Sequence, residues 1–174
     1  MHIRAEQVAD HQAIADVVGA AFGSDTEVQL VAAIRASPHY VAELALVAER
    51  DADVVGHVML SYVALQNGSA QHRILSLSPL AVAPAHQRLG IGSALVREAT
   101  ARAEARGEPL VVLEGSPDYY GRLGFEHSVR HGITIDLPSW APAEAAQVIR
   151  LRDYDPTIRG RVVYPPAFDV ATSH

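Results

Sequence analysis

The sequence predicts an α/β fold of the α+β kind, with helices packed on a sheet, in one domain over residues 1–174. Three observations carry this reading. Two segments near the N-terminus repeat apolar residues at a helical period, and the chain then switches to runs dense in Val, Leu and Ile. A strand–glycine–helix–strand unit follows in the middle of the chain.

In order, "MHIRAE" reads as a short strand. "DHQAIADVVGAAF" repeats Ile14, Val17, Val18 and Ala21 at a helical period, with Asp10 as the expected N-cap. "GSDT" is a turn. "TEVQLVAAIRAS" predicts a second helix with Val28, Val31, Ala32 and Ile34 on one side and Pro38 beyond its end. In "ELALVAERDADVVGHVMLSYVAL", two apolar runs flank a turn at Arg50–Asp53, a hairpin pattern. "HRILSLSPLAVAP" is a further strand, and Pro79 within it removes a ladder donor, so the strand is expected to break or splay near Ser78–Pro79. Ile91, Leu95, Ala99 and Ala103 continue as a helix from Gly90 to Arg106, which Gly107 stops. "PLVVLEG" is a compact strand buried on both faces. "SPDYYGRL" fits a short helix with Ser116 as N-cap and Pro117 at its first position. "GITIDL" reads as a strand, "AAQVIRL" as a strand or a helix, and the tail after Arg152, with Pro156, Pro165 and Pro166, as mostly loop.

Composition narrows the function. With 49% apolar and 20% charged residues, the chain is of the globular and not the disordered class. A net charge of -6 argues against a nucleic-acid binder, which needs a basic surface; amine-bearing substrates remain compatible. The absence of cysteine removes disulfides, thiolate metal sites and a cysteine nucleophile. The opening residues lack the apolar core of a signal peptide, and no apolar run approaches the ~20 residues of a membrane span, so a cytoplasmic location is expected. The 9 histidines show no H-E-x-x-H or similar ligand spacing. His127 and His131 form the one i, i+4 pair, in a region read as irregular, and no metal is expected.

The stretch "HQRLGIGSALV" spaces two glycines at the mouth of the predicted helix. A helix N-terminus presents unpaired N–H groups and the positive end of the dipole, and glycine lets an anion approach without meeting a Cβ. The spacing fits neither a P-loop nor G-x-G-x-x-G, and by itself it is equally a tight turn. The flanking residues decide more. "LAVAPAHQRLGIGSALV" resembles motif A of the GNAT superfamily of N-acetyltransferases, a strand ending in V-x-P followed by [Q/R]-x-x-G-x-[G/A]. Downstream, "PDYYGRLGF" resembles the family's Y-x-x-x-G-F signature, and the order of elements over residues 1–151 matches as well. The paired tyrosines resemble those of a bacterial subgroup of acetyltransferases.

The resemblance implies a mixed, largely antiparallel sheet splayed between its fourth and fifth strands, with acetyl-coenzyme A (acetyl-CoA) as acetyl donor in the splay. It places the pyrophosphate on Gln87, Arg88, Leu89, Gly90, Ile91, Gly92 and Ser93, and the pantetheine arm against Leu80, Ala81 and Val82. The implied reaction is direct attack of a primary amine of a small molecule or protein on the thioester. Tyr120, four residues before Gly124, is implied as the acid that protonates the departing thiolate, with Tyr119 structural or substrate-facing. Glu114, at the strand end where the cleft opens, is the candidate base; Ser76 and Ser78 are candidate holders of a relay water. Dimerisation is common in the family, and no feature of the sequence decides it. The alternative reading is a non-catalytic domain that binds an acyl-CoA as a sensor. The acceptor-specific contacts are expected from residues 22–38 and from the C-terminal third.

Overall fold

The computed structural model describes residues 1–171. In chain order it contains β1 (His2–Ala5), α1 (His11–Phe22), α2 (Thr26–Arg35), β2 (Tyr40–Arg50), β3 (Asp53–Asn67), β4 (Ala70–Val82) and α3 (Ile91–Ala105). There follow β5 (Leu110–Glu114), α4 (Pro117–Gly121), β6 (Glu126–His127), β7 (Ile133–Thr134), β8 (Ala146–Arg150) and β9 (Gly160–Val163). The strands form one sheet in the order β1-β2-β3-β4-β5-β8-β6, with β9 pairing β3 and β7. All pairings are antiparallel except β4 with β5 and β7 with β9.

Strand alternation builds two cores. Ala45, Val47, Leu110 and Val112 face α1 and α2, while Leu44, Leu46, Val111 and Leu113 face α3. Helices on both faces explain why β5 is apolar at every position but its last. Asp51 and Ala52, both at positive φ, make the turn of the β2–β3 hairpin at the predicted place.

Four expectations are corrected. Asp10 precedes α1 but caps none of its N–H groups; its carboxylate accepts instead from the Gln7 N–H at 2.7 Å and from the Arg4 guanidinium. In α2 the buried residues are Leu30, Val31 and Ile34, whereas Val28 is half-buried and Ala32 exposed, because the C-terminal segment packs on this helix from the side. "GITIDL" pairs only at Ile133 and Thr134, since its partner β9 ends the parallel register at Arg161. The described part of the tail, read as mostly loop, carries a strand and a 3-10 segment between its irregular stretches. β4 occupies one edge of β3 from Gly56 to Asn67, so β9 lies along the other edge beyond Ser61, where β2 begins at Tyr40. A 3-10 segment, Pro166–Ala171, then packs on α2. "AAQVIRL" resolves as the strand β8.

Beneath α1 and α2, Glu6 accepts from Arg35 Nε at 2.6 Å and its other oxygen lies 2.9 Å from His57 Nε2. Burial opposes the Glu6 charge, yet these partners outweigh it and hold its pKa at about 2. His57 is wholly buried, and desolvation pushes its pKa below the usual imidazole value.

Candidate active site

The site begins where β4 and β5 part. They pair at Leu75–Val111 and Ser76–Val112 and nowhere beyond. On its other edge, β4 skips from Leu77 opposite Leu60 to Leu80 opposite Val58, so Ser78 and Pro79 bulge against Met59. The splay from β5 therefore opens after Ser76, and Pro79, which cannot donate to a ladder, lies just inside it.

Past the splay, a cleft of about 400 Å³ lies between the end of β4 and the N-terminus of α3. Leu80 and Val82 form one wall; Gln87, Arg88, Gly90, Ile91, Gly92 and Ser93 form the other. Gln87 Nε2 donates to the Val82 carbonyl at 3.0 Å and ties the loop to the strand. The loop turns through Arg88 at φ 64 and Gly90 at φ 84. The non-glycine residue in this left-handed conformation costs roughly 1 kcal/mol, a strain typical of functional loops. The first turn of α3 carries no acidic residue to neutralise its N–H groups. A Cβ on Gly90 would meet nothing within 4 Å, whereas one on Gly92 would stand 2.6 Å from the Tyr119 hydroxyl. The backbone is thus open to an anion over Gly90, while the Tyr119 hydroxyl stands over Gly92.

Of the residues expected to hold the donor, Ala81 turns its side chain into the core under α1 and α2, which leaves only its backbone for the pantetheine contact the resemblance implies, and Leu89 is exposed and does not line this cleft. Tyr119 and His86 line the cleft instead. Tyr119 Oη reaches to 3.5 Å from Ser93 Oγ.

Ser116 accepts from the Tyr119 N–H as the predicted N-cap, which starts α4 at Pro117. Tyr120 lies half-buried, its ring edge-on to Tyr119 at 4.9 Å and to Phe125 at 5.6 Å and packed against Gly115. Burial, with the neighbouring Tyr119 phenol, raises its pKa to about 12.

A second cleft of about 600 Å³ opens on the other side of the bulge, lined by Ser76, Leu77, Ser78 and Glu114. α2 adds Leu30, and the C-terminal third adds Leu137, Val162 and Phe168 among others. Glu114 Oε2 accepts from the Tyr164 hydroxyl at 2.6 Å, which ties the tail to the end of β5. Burial, and then the Glu114 carboxylate, push the Tyr164 pKa upward, so its proton stays on oxygen as a donor. Sequence reasoning missed Tyr164. The signal available was the β-branched pair in "RVVY", masked by the prolines on either side. No group of three or more His, Cys, Asp or Glu side chains converges on a metal geometry among the described residues, and His174 lies outside them.

A model of the acetyltransferase (GNAT) domain matches residues 2–128, most of the chain. The chain belongs to the GNAT acetyltransferase family. Its GNAT relatives include the Escherichia coli protein named uncharacterized N-acetyltransferase YhbS, 34% identical over 155 residues, which cover 88% of this chain and 89% of YhbS. A second relative, E. coli YjhQ, also named an uncharacterized N-acetyltransferase, is 31% identical over 117 residues, and the match spans 65% of its length. The crystal structure of YhbS in complex with CoA superimposes with a TM-score of 0.86 over 97% of this chain and 91% of that one, at 31% identity. A GNAT acetyltransferase from Brucella melitensis in complex with acetyl-CoA superimposes with a TM-score of 0.77 over 97% of both chains, at 33% identity. The mixed, mostly antiparallel sheet flanked by helices is the GNAT fold.

Proposed function

We propose that this chain transfers an acetyl group from acetyl-CoA to a primary amine. One observation carries the proposal: a backbone anion cradle beside Leu80 and a carboxylate in a cleft beside Ser78 stand on either side of a single splay. The complexes of the two relatives with CoA and acetyl-CoA support the choice of donor.

Gln87 to Ser93 would hold the donor's pyrophosphate through the loop and the first turn of α3, with Leu80 and Val82 beside its pantetheine arm. The donor supplies an activated acetyl thioester, so the amine nitrogen bonds to the carbonyl carbon as the carbon–sulfur bond breaks. Glu114 takes the proton that the amine loses. Tyr120 donates to the departing sulfur. With its pKa near 12 it holds its proton well above the ~8.5 of an alkyl thiol, so its contribution is a hydrogen bond to the developing thiolate more than complete proton transfer.

Calorimetry with acetyl-CoA, followed by thiol release over a set of amines, tests the reading. Tight binding with turnover supports it. Binding without turnover on any amine supports the sensor reading instead, and no binding overturns both. Tyr120→Phe is expected to lower kcat by about tenfold or more with donor binding unmoved; full activity in that variant would remove Tyr120 from the mechanism.

A further inference from the structure

We infer that the acceptor is a small primary amine carried on an apolar body, seated in the cleft that the C-terminal segment closes over Glu114. This rests on the acetyl-transfer reading of the same site. The cleft's volume of about 600 Å³ lies in the range of small-molecule pockets. Its walls are Leu30, Leu77, Leu137, Val162 and Phe168, and its charged groups gather near the rim. There Asp136 is met by Arg161 at 2.6 Å, whereas Glu114 is held by the neutral Tyr164 hydroxyl. An incoming ammonium therefore finds at Glu114 a carboxylate that no cation pairs among the described residues, oriented by a donor that cannot compete for the proton. With Asp136 already met by Arg161, the Glu114 charge leaves this part of the cleft attractive to a cation.

The body of the acceptor follows from the walls. A polyamine would strand its further ammonium groups among Leu30, Leu137 and Phe168, at the cost of desolvating them. A lysine stem would leave much of the cleft unfilled, and unfilled apolar walls forfeit their contacts. The space also continues: an adjoining cleft of about 320 Å³ shares Glu114, Leu137 and Pro138 and ends at Trp140, which is 83% exposed. An amine with an alkyl or aryl body reaches from Glu114 along Leu137 toward that ring. Tyr164 is a positioning residue in this arrangement, acting through Glu114.

Trp140 is the sole tryptophan and lines the adjoining cleft, so its emission reports an amine body that reaches there, without turnover. The probes are 2-phenylethylamine and hexylamine, set against spermidine and a lysine-containing peptide, each titrated with acetyl-CoA present and then assayed for thiol release. The two apolar amines are expected to change the emission saturably and to turn over. Leu137, half-buried at the rim, can be shortened without emptying the core. Leu137→Ala is expected to raise their KM by about tenfold, as lost side-chain burial implies, and to leave acetyl-CoA binding unchanged. Tyr164→Phe is expected to lower kcat with the amine KM held within about twofold, the pattern of a group that acts in the transition state. Turnover confined to spermidine or the peptide overturns the inference and leaves acetyl transfer standing. So does a Leu137→Ala variant whose amine KM is unmoved, or an emission that no amine changes. Failure of the parent protein to bind acetyl-CoA overturns the acetyl-transfer reading itself.

Discussion

The two clefts on either side of the splay are built in opposite ways. The cleft proposed for the donor comes almost entirely from one continuous stretch, residues 80 to 93, and offers mainly backbone: a free strand end, a left-handed loop and the N-terminus of α3. The cleft proposed for the acceptor is assembled from α2, β4, β5, the loop after β7 and the tail, and offers mainly side chains. A site made of backbone geometry accepts one conserved chemical shape, a pyrophosphate, with few side-chain demands. A site made of side chains from distant segments can change its ligand without disturbing the sheet. Under the proposed function, donor and acceptor recognition are thereby expected to be separable in one small domain.

Three further perturbations break or sharpen this contrast. The largest effect is expected on the acceptor side: Glu114→Gln should lower kcat by roughly a hundredfold, as the loss of a general base does, with acetyl-CoA binding by calorimetry unchanged. Loss of donor binding in that variant would show the two clefts to be one unit. Next, Gly92→Ala places a Cβ 2.6 Å from the Tyr119 hydroxyl. It should raise the KM for acetyl-CoA by about tenfold, roughly 1.4 kcal/mol, without moving the amine KM. Because the obstacle is the hydroxyl, adding Tyr119→Phe should restore part of the loss, and a double-mutant cycle measures how much.

The smallest effect lies in neither cleft. His57 is buried with its pKa lowered by desolvation, so below the unfolded value near 6.5 the unfolded chain binds a proton that the folded chain does not, and stability falls as pH falls. Glu6, lowered from 4.5 to about 2, adds a second loss in the same direction as pH drops through that interval. The melting temperature should decline in these two steps. His57→Gln should remove the first step, and both donor and acceptor KM at neutral pH should stay unchanged, since this network touches neither cleft.

The difference in construction also explains what could be read in advance. Pro79, Gly90 and Gly92 are local signals, because a missing N–H, a positive φ and a missing Cβ each act on their own stretch of backbone. The hairpin at Asp51 and Ala52, the Ser116 cap and the two-faced burial of β5 are of the same kind. Asp10 misled because its carboxylate found Arg4 and the Gln7 N–H in three dimensions, a competition that spacing does not encode. The tail misled for a related reason. A strand as short as Gly160–Val163 is stabilised by the edge of β3 it lands on and not by its own propensity. The paired tyrosines were visible as a motif, yet only packing sends Tyr119 to the glycine cradle and lays Tyr120 against Gly115 and Phe125.

The sequence by itself therefore determined the order of elements through α4, the stretch of β4 near which the sheet parts, and the glycine turn into α3, all governed by interactions among near neighbours in the chain. Only the tertiary structure decided that Tyr164 meets Glu114, 50 residues earlier, and that Leu30 and Phe168 face the same space. Those meetings depend on how α2 and the tail share the buried face of the sheet, and that is a property of the packed whole.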